Sequence, residues 1–221
     1  MRNTEEKVIV QVPQWRLRKW FSGLDEDILA QLRIFHLELL RFNKSMNLVS
    51  RKSEQSADLM HFADCIIAAK HIFETTDAKR IFDIGSGNGL PGLILAALDP
   101  AREIVCIDSN AKKTEAIRHM AQKMKLSNVV VGQARFEDMK EGIIDCAVSR
   151  GFASIAKTLL IARKPMAADG VYFHMKGTNW VREVAEIPSQ ICPFWSPKLV
   201  ADYYLPEEGH RLSLIVTNRL K

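Results

Sequence analysis

The chain has 221 residues, of which 47% are hydrophobic and 26% charged, enough apolar material for one α/β domain with a small attachment, which excludes a disordered chain. The formal charge of +5 favours polyanionic partners without naming one. Cys65, Cys106, Cys146 and Cys192 form no CxxC pair and no Cys/His spacing of a zinc site, so reduced and largely buried thiols are expected, with no metal. The first fifteen residues lack an apolar signal core, and nowhere do eighteen uncharged apolar residues run together. A soluble, cytoplasmic, monomeric protein is the expectation.

From Asp25 onward Ile28, Leu29, Leu32, Phe35, Leu39 and Leu40 recur at helical spacing, behind acidic residues suited to a helix N-terminus. A second helix is predicted after Ser53, marked by Leu59, Phe62, Ile66, Ala69 and Phe73. The polar, basic stretch 43–52 between them reads as an exposed loop. Residues 1–76 thus form an N-terminal helical extension attached to the main domain, 77–221. Beyond Lys79 short apolar runs alternate with helical stretches, as βαβ units do. Strands are predicted at 80–84, 103–108, 128–132, 145–149, 170–175, 199–204 and 212–217, and helices at 91–98, 111–124, 155–166 and 179–187. The predicted fold is α/β and Rossmann-like: a mostly parallel sheet that ends in an antiparallel hairpin. Its ligands should bind at the carboxyl ends of the first strands.

The first of those ends carries Gly87, Gly89 and Gly92 in a G-x-G-x-x-G pattern, between a strand and a helix, which a dinucleotide site also shows. Asp83 argues for another cofactor. Its carboxylate would face the pyrophosphate of a dinucleotide, whereas S-adenosylmethionine presents a sulfonium and an ammonium group. Asp108 ends the second strand, where a carboxylate accepts from both ribose hydroxyls of either cofactor. The third strand is followed by Phe136 and Glu137, placed to meet an adenine. Each feature has a plainer reading: glycines also permit a tight turn, and Asp108 also suits a helix cap.

Seven motifs together resemble one family. They are Asn47-Leu48-Val49-Ser50, His61-Phe62-Ala63-Asp64, the run from Phe82 to Gly92, Ile107-Asp108-Ser109 with Lys112-Lys113, Arg135-Phe136-Glu137, Ser149-Arg150-Gly151-Phe152-Ala153 and Met175-Lys176-Gly177. The pattern is similar to that of the ribosomal RNA small-subunit methyltransferase G family, also called the glucose-inhibited division protein B family. Gly89-Leu90-Pro91-Gly92 and Ser149-Arg150 are its most specific parts. The resemblance implies S-adenosylmethionine-dependent methylation at N7 of a guanine in small-subunit (16S) ribosomal RNA, free or in a ribosomal particle. It also implies cofactor contacts at Gly85, Leu90, Phe136, Glu137 and Arg150, with Asp108 on the ribose; Asp83 and Gly87 complete the expected set. The chain departs from the family pattern at Met60, where an arginine is usual, and around His210 to Val216.

Guanine N7 bears a lone pair and no proton at neutral pH, so its methylation requires alignment rather than a base. No catalytic residue is obligatory; Arg150, His61 and Lys176 are the positioning candidates. His61 and Asp64, one helical turn apart, either shape the rim of the site or pair with each other. The alternation of cations and aromatics from Trp15 to Phe21 suits RNA contact, or packing of the tryptophans on the domain. Three other readings stay open here: a methyltransferase of a small molecule or protein, an NAD-linked oxidoreductase, and a non-catalytic RNA-binding protein.

Overall fold

The structure, a computed structural model, describes residues 13–207 and 209–220. Among these the chain forms a seven-stranded sheet of order β3-β2-β1-β4-β5-β7-β6. The strands are β1 (Arg80–Ile84), β2 (Glu103–Asp108), β3 (Val129–Gln133), β4 (Ile144–Arg150), β5 (Met166–Lys176), β6 (Trp195–Tyr204) and β7 (Arg211–Arg219). The first five run parallel, and β7 inserts antiparallel between β5 and β6. The order reverses between β1 and β4, which opens a crevice at their carboxyl ends.

Helices α1 (Leu17–Trp20), α2 (Glu26–Met46) and α3 (Arg51–Glu54) precede a π-helical turn at Asp58–Ala63 that runs directly into α4 (Asp64–Thr75). Helix α2 starts where the sequence places it, because the Asp25 carboxylate accepts from the Asp27 amide at 2.7 Å and supplies an N-cap. Its apolar stripe, Leu29, Leu32, Phe35 and Leu39, packs in one continuous core with Leu59, Phe62, Ile81, Ile94, Val148 and Phe173. The N-terminal helices therefore cover one face of the sheet and share its core. Between the strands lie α5 (Gly92–Leu98), α6 (Ala111–Lys123), α7 (Ile155–Ala162) and α8 (Trp180–Ala185). On the other face Ile84, Phe136, Ile155, Leu159, Tyr172 and Trp195 form a second core.

Three expectations change. Residues 43–52 are not an exposed loop: α2 continues to Met46, Asn47 turns the chain in the left-handed region at φ 49°, and Leu48 and Val49 are buried. Buried Asn43 makes that turn possible, since its Oδ1 accepts from the Val49 amide at 2.8 Å and its Nδ2 donates to Glu54 at 3.2 Å. The helix predicted at 155–166 ends at Ala162; Pro165 disfavours helical backbone at Lys164, and β5 begins at Met166, before the expected 170. The segment from Trp15 to Phe21 packs on the fold. Trp15 lies against His36 and Phe62, and Arg16 pairs at 2.9 Å with the fully buried Asp58. As expected, Cys65, Cys106 and Cys146 are buried, while Cys192 is exposed. No described helix is long and apolar enough to cross a membrane.

Substituting Asn43→Ala leaves the Val49 amide unsatisfied in a buried turn. Chemical denaturation should register a loss of about 1–3 kcal/mol; an unchanged midpoint would show that the Asn43 bonds do not hold the 47–50 turn.

Candidate active site

The glycine-rich run leaves β1 and enters α5 with Gly85, Gly87 and Gly89 at φ 67°, 50° and 84°, backbone that side chains other than glycine rarely adopt. Gly85 is constrained a second way, because a Cβ there would collide with the Phe152 ring. Gly92 is fixed by contact alone: a Cβ would lie 2.7 Å from both Asp83 Oδ2 and Cys106 Sγ. Beneath this turn Asp83 is fully buried. Its Oδ2 accepts from the Gly92 amide at 2.9 Å, and its Oδ1 has no partner. The sequence reading placed this carboxylate against the cofactor; it stands under the loop instead and lines neither cleft described below. There it occupies, from inside, the first amide of α5, a donor that a pyrophosphate would otherwise use. Burial pushes the Asp83 carboxyl up to about 7, against the pull of the Gly92 amide.

Two clefts of about 530 Å³ each open along the carboxyl ends of the strands and meet at Gly85, Lys113 and Gly151. The narrower chemistry lies in the cleft lined by Ile84, Ile107, Asp108, Phe136, Glu137 and Phe152. Asp108 Oδ2 accepts from the Gly87 amide at 2.9 Å and Oδ1 from the Asn110 amide at 2.8 Å, which orients the carboxylate while leaving it at the cleft wall. Asn110, not Asp108, caps α6, accepting from the Lys113 amide at 3.2 Å. Phe136 stands edge-on to Phe152, with ring centroids 6.3 Å apart, and tilts against Tyr172 at 6.0 Å. A carboxylate for paired hydroxyls beside an apolar, aromatic wall fits an adenosine. Leu90 is buried in the core and lines neither cleft; its amide donates to Asn88 Oδ1 at 3.1 Å.

The other cleft is lined by Met60, His61, Asp64, Gly87, Lys113, Arg150, Met175, Lys176, Arg211 and neighbours. Arg150 ends β4 at its centre. Its Nε donates to Asp64 Oδ2 at 2.9 Å, and one Nη donates to the Met60 carbonyl at 3.2 Å and meets His61 Nδ1. The other oxygen of Asp64 accepts from the Tyr203 hydroxyl at 2.7 Å. Of the two roles the sequence left open, His61 and Asp64 take the first: they line the rim and, instead of pairing with each other, together grip Arg150. Burial, reinforced by the Arg150 charge, lowers the His61 pKa to about 3, so the imidazole is neutral, and its Nε2 lies 2.9 Å from the Ser53 hydroxyl. Lys176 donates to the Ala153 carbonyl at 2.6 Å and pairs with Glu183 at 2.7 Å. Glu183 also accepts from the Ile155 amide at 2.8 Å, so Lys176 clasps the 151–155 loop. Tyr203 and Glu183 were not singled out for the site by sequence, whereas Lys113 at the junction belongs to the Lys112-Lys113 motif.

A family model described as rRNA small subunit methyltransferase G matches residues 28–193. The chain belongs to that family. It is 37% identical over 221 residues to ribosomal RNA small subunit methyltransferase G 3 of Bdellovibrio bacteriovorus, covering 100% of both chains. It is 33% identical to ribosomal RNA small subunit methyltransferase G of Halorhodospira halophila, over 80% of this chain and 82% of that one. Among solved structures, the fold is similar to a putative S-adenosylmethionine-dependent methyltransferase from Methanococcus maripaludis, with TM-score 0.59, 14% identity and coverage of 84% and 92%. The family membership accords with the resemblance carried by the motifs.

Two outcomes follow from the loop. Gly85→Ala should abolish S-adenosylmethionine binding by calorimetry while the far-ultraviolet spectrum stays native; retained affinity would show that the Phe152 contact yields. Asp83 keeps its proton to about pH 7 when folded but ionises near the ordinary carboxylate value when unfolded. Between roughly pH 4 and 7 the unfolded state therefore binds fewer protons, and stability falls as pH rises. Asp83→Asn keeps an acceptor for Gly92 and removes that slope, so denaturation at pH 5 and pH 8 should shift the stability difference in the variant's favour at the higher pH. A difference independent of pH would mean the carboxylate is ionised throughout.

Proposed function

We propose that this protein transfers a methyl group from S-adenosylmethionine to N7 of a guanine in small-subunit ribosomal RNA. The observation that carries the reading is the junction at Gly85, Lys113 and Gly151, where a cleft fitted to adenosine opens into a second lined by His61, Lys113, Arg150, Lys176 and Arg211. When bound, the cofactor supplies an electrophilic methyl group on a sulfonium. Asp108 would hold the ribose hydroxyls, with Phe136 and Glu137 around the adenine, and Gly85 and Gly87 would let the backbone approach closely.

Asp64 is the one carboxylate among the described residues lining the second cleft, and both its oxygens are engaged, by Arg150 and Tyr203. His61, with its pKa lowered to about 3, is a poor proton acceptor. Neither Asp64 nor His61 is thus a competent general base, which suits an acceptor atom that already carries a free lone pair. Arg150 keeps Nη1 without a protein partner among the described residues, a donor held in place by three other bonds and suited to a guanine O6. Lys176 sets the loop that carries Gly151 and Phe152. These roles are positional, and alignment of this kind is worth about 7–11 kcal/mol in favourable cases.

Labelled methyl transfer to purified small ribosomal subunits and to their free RNA, followed by nucleoside identification, tests the reading. 7-methylguanosine is expected, and Arg150→Lys should lower kcat by about 10²-fold through loss of the planar fork. Label in any other nucleoside, or none in RNA, would overturn the assignment.

A further inference from the structure

The turn between β6 and β7 brings Glu207 across the molecule onto α1. Three donors from one helical turn converge on its carboxylate: Arg16 Nη1 at 3.1 Å, Lys19 Nζ at 2.6 Å and Trp20 Nε1 at 3.2 Å. Glu207 itself sits in the left-handed region at φ 69°, directly after Pro206 in the turn. The same turn carries Leu205, His210, Arg211 and Leu212 along the wall of the Arg150 cleft. An acidic side chain therefore occupies a three-donor anion cradle beside the mouth of a cation-lined cleft.

We propose that Arg16, Lys19 and Trp20 form a docking site for a backbone phosphate of the substrate RNA, which Glu207 fills until RNA displaces it. Arg16 is already held in place by buried Asp58, through Nε at 3.1 Å and Nη2 at 2.9 Å, so its Nη1 stays aimed at the site when Glu207 leaves. Its guanidinium also lies 4.6 Å over the Trp20 ring, which fixes the indole N–H. A phosphate offers acceptor oxygens to the same three donors and a full charge to Lys19. The contacts of the Trp15 to Phe21 segment thus serve both readings the sequence allowed: packing on one side, and an anion cradle on the other.

The inference rests on RNA being the substrate, and one set of measurements separates the two ideas. Methyl transfer by the wild-type protein tests the substrate; RNA affinity of three variants, read by fluorescence anisotropy across a salt series, tests the cradle. Glu207→Gln should tighten RNA binding several-fold with S-adenosylmethionine affinity unchanged. Lys19→Gln should weaken RNA binding and reduce the salt slope by about 0.7, the value for one phosphate on a single strand. Arg18→Gln, on the same helix but paired with Glu26, should leave the slope unaltered. Wild-type methyl transfer with equal RNA affinity in Glu207→Gln, or equal losses in Lys19→Gln and Arg18→Gln, would overturn the cradle alone. Absence of both transfer and RNA binding would overturn the cradle together with the substrate assignment.

Discussion

The ion pair between Arg150 and Asp64 is the constraint on which the rest of the site depends. It joins the end of β4 to the start of α4, and through the Tyr203 hydroxyl it reaches β6. These are 86 and 139 residues apart in sequence, so the guanidinium takes its place only when N-terminal helices, central sheet and late hairpin have all assembled. Both charges are largely withdrawn from water, with 20% and 7% of their side chains exposed. Such a pair stabilises little in total, yet leaving either partner alone is expensive. Its yield is a fixed direction for one arginine in the second cleft.

The same economy of placement runs through the glycine-rich turn. Asp83 holds the first amide of α5 from below, and Asp108 holds Gly87 from the side, so two acidic residues at neighbouring strand ends shape the loop before any ligand arrives. Gly85 then yields space to Phe152, and Lys176 ties the loop that carries Phe152 to α8 through Glu183. Loop, aromatic wall and clasp form one connected assembly around the cleft junction.

The strands and most helices were legible because pattern reports burial: the central strands, covered on both faces, read as short continuous apolar runs. The cofactor loop was legible because only glycine tolerates its backbone. Stretch 43–52 misled because polar Asn43, Asn47 and Ser50 signal a loop by composition, whereas here Asn43 turns inward to satisfy a buried turn. Asp83 was read as facing the cofactor, but its side chain faces the core, an orientation set by strand pleat that residue type does not announce. Tyr203 carried no local signal, since its role exists only once β6 lies beside α4. Glu207 was equally silent, being a single acid in a polar turn whose partners lie 187 to 191 residues away.

The cationic lining of the second cleft has a bearing on the end of the cycle as well as its start. A guanine methylated at N7 carries a positive charge that the unmodified base lacks. On the proposed assignment, Lys113, Arg150, Lys176 and Arg211 around it would attract the phosphates of the entering strand but disfavour the cationic product base. The charges that recruit the RNA would thereby also promote release of the modified nucleotide.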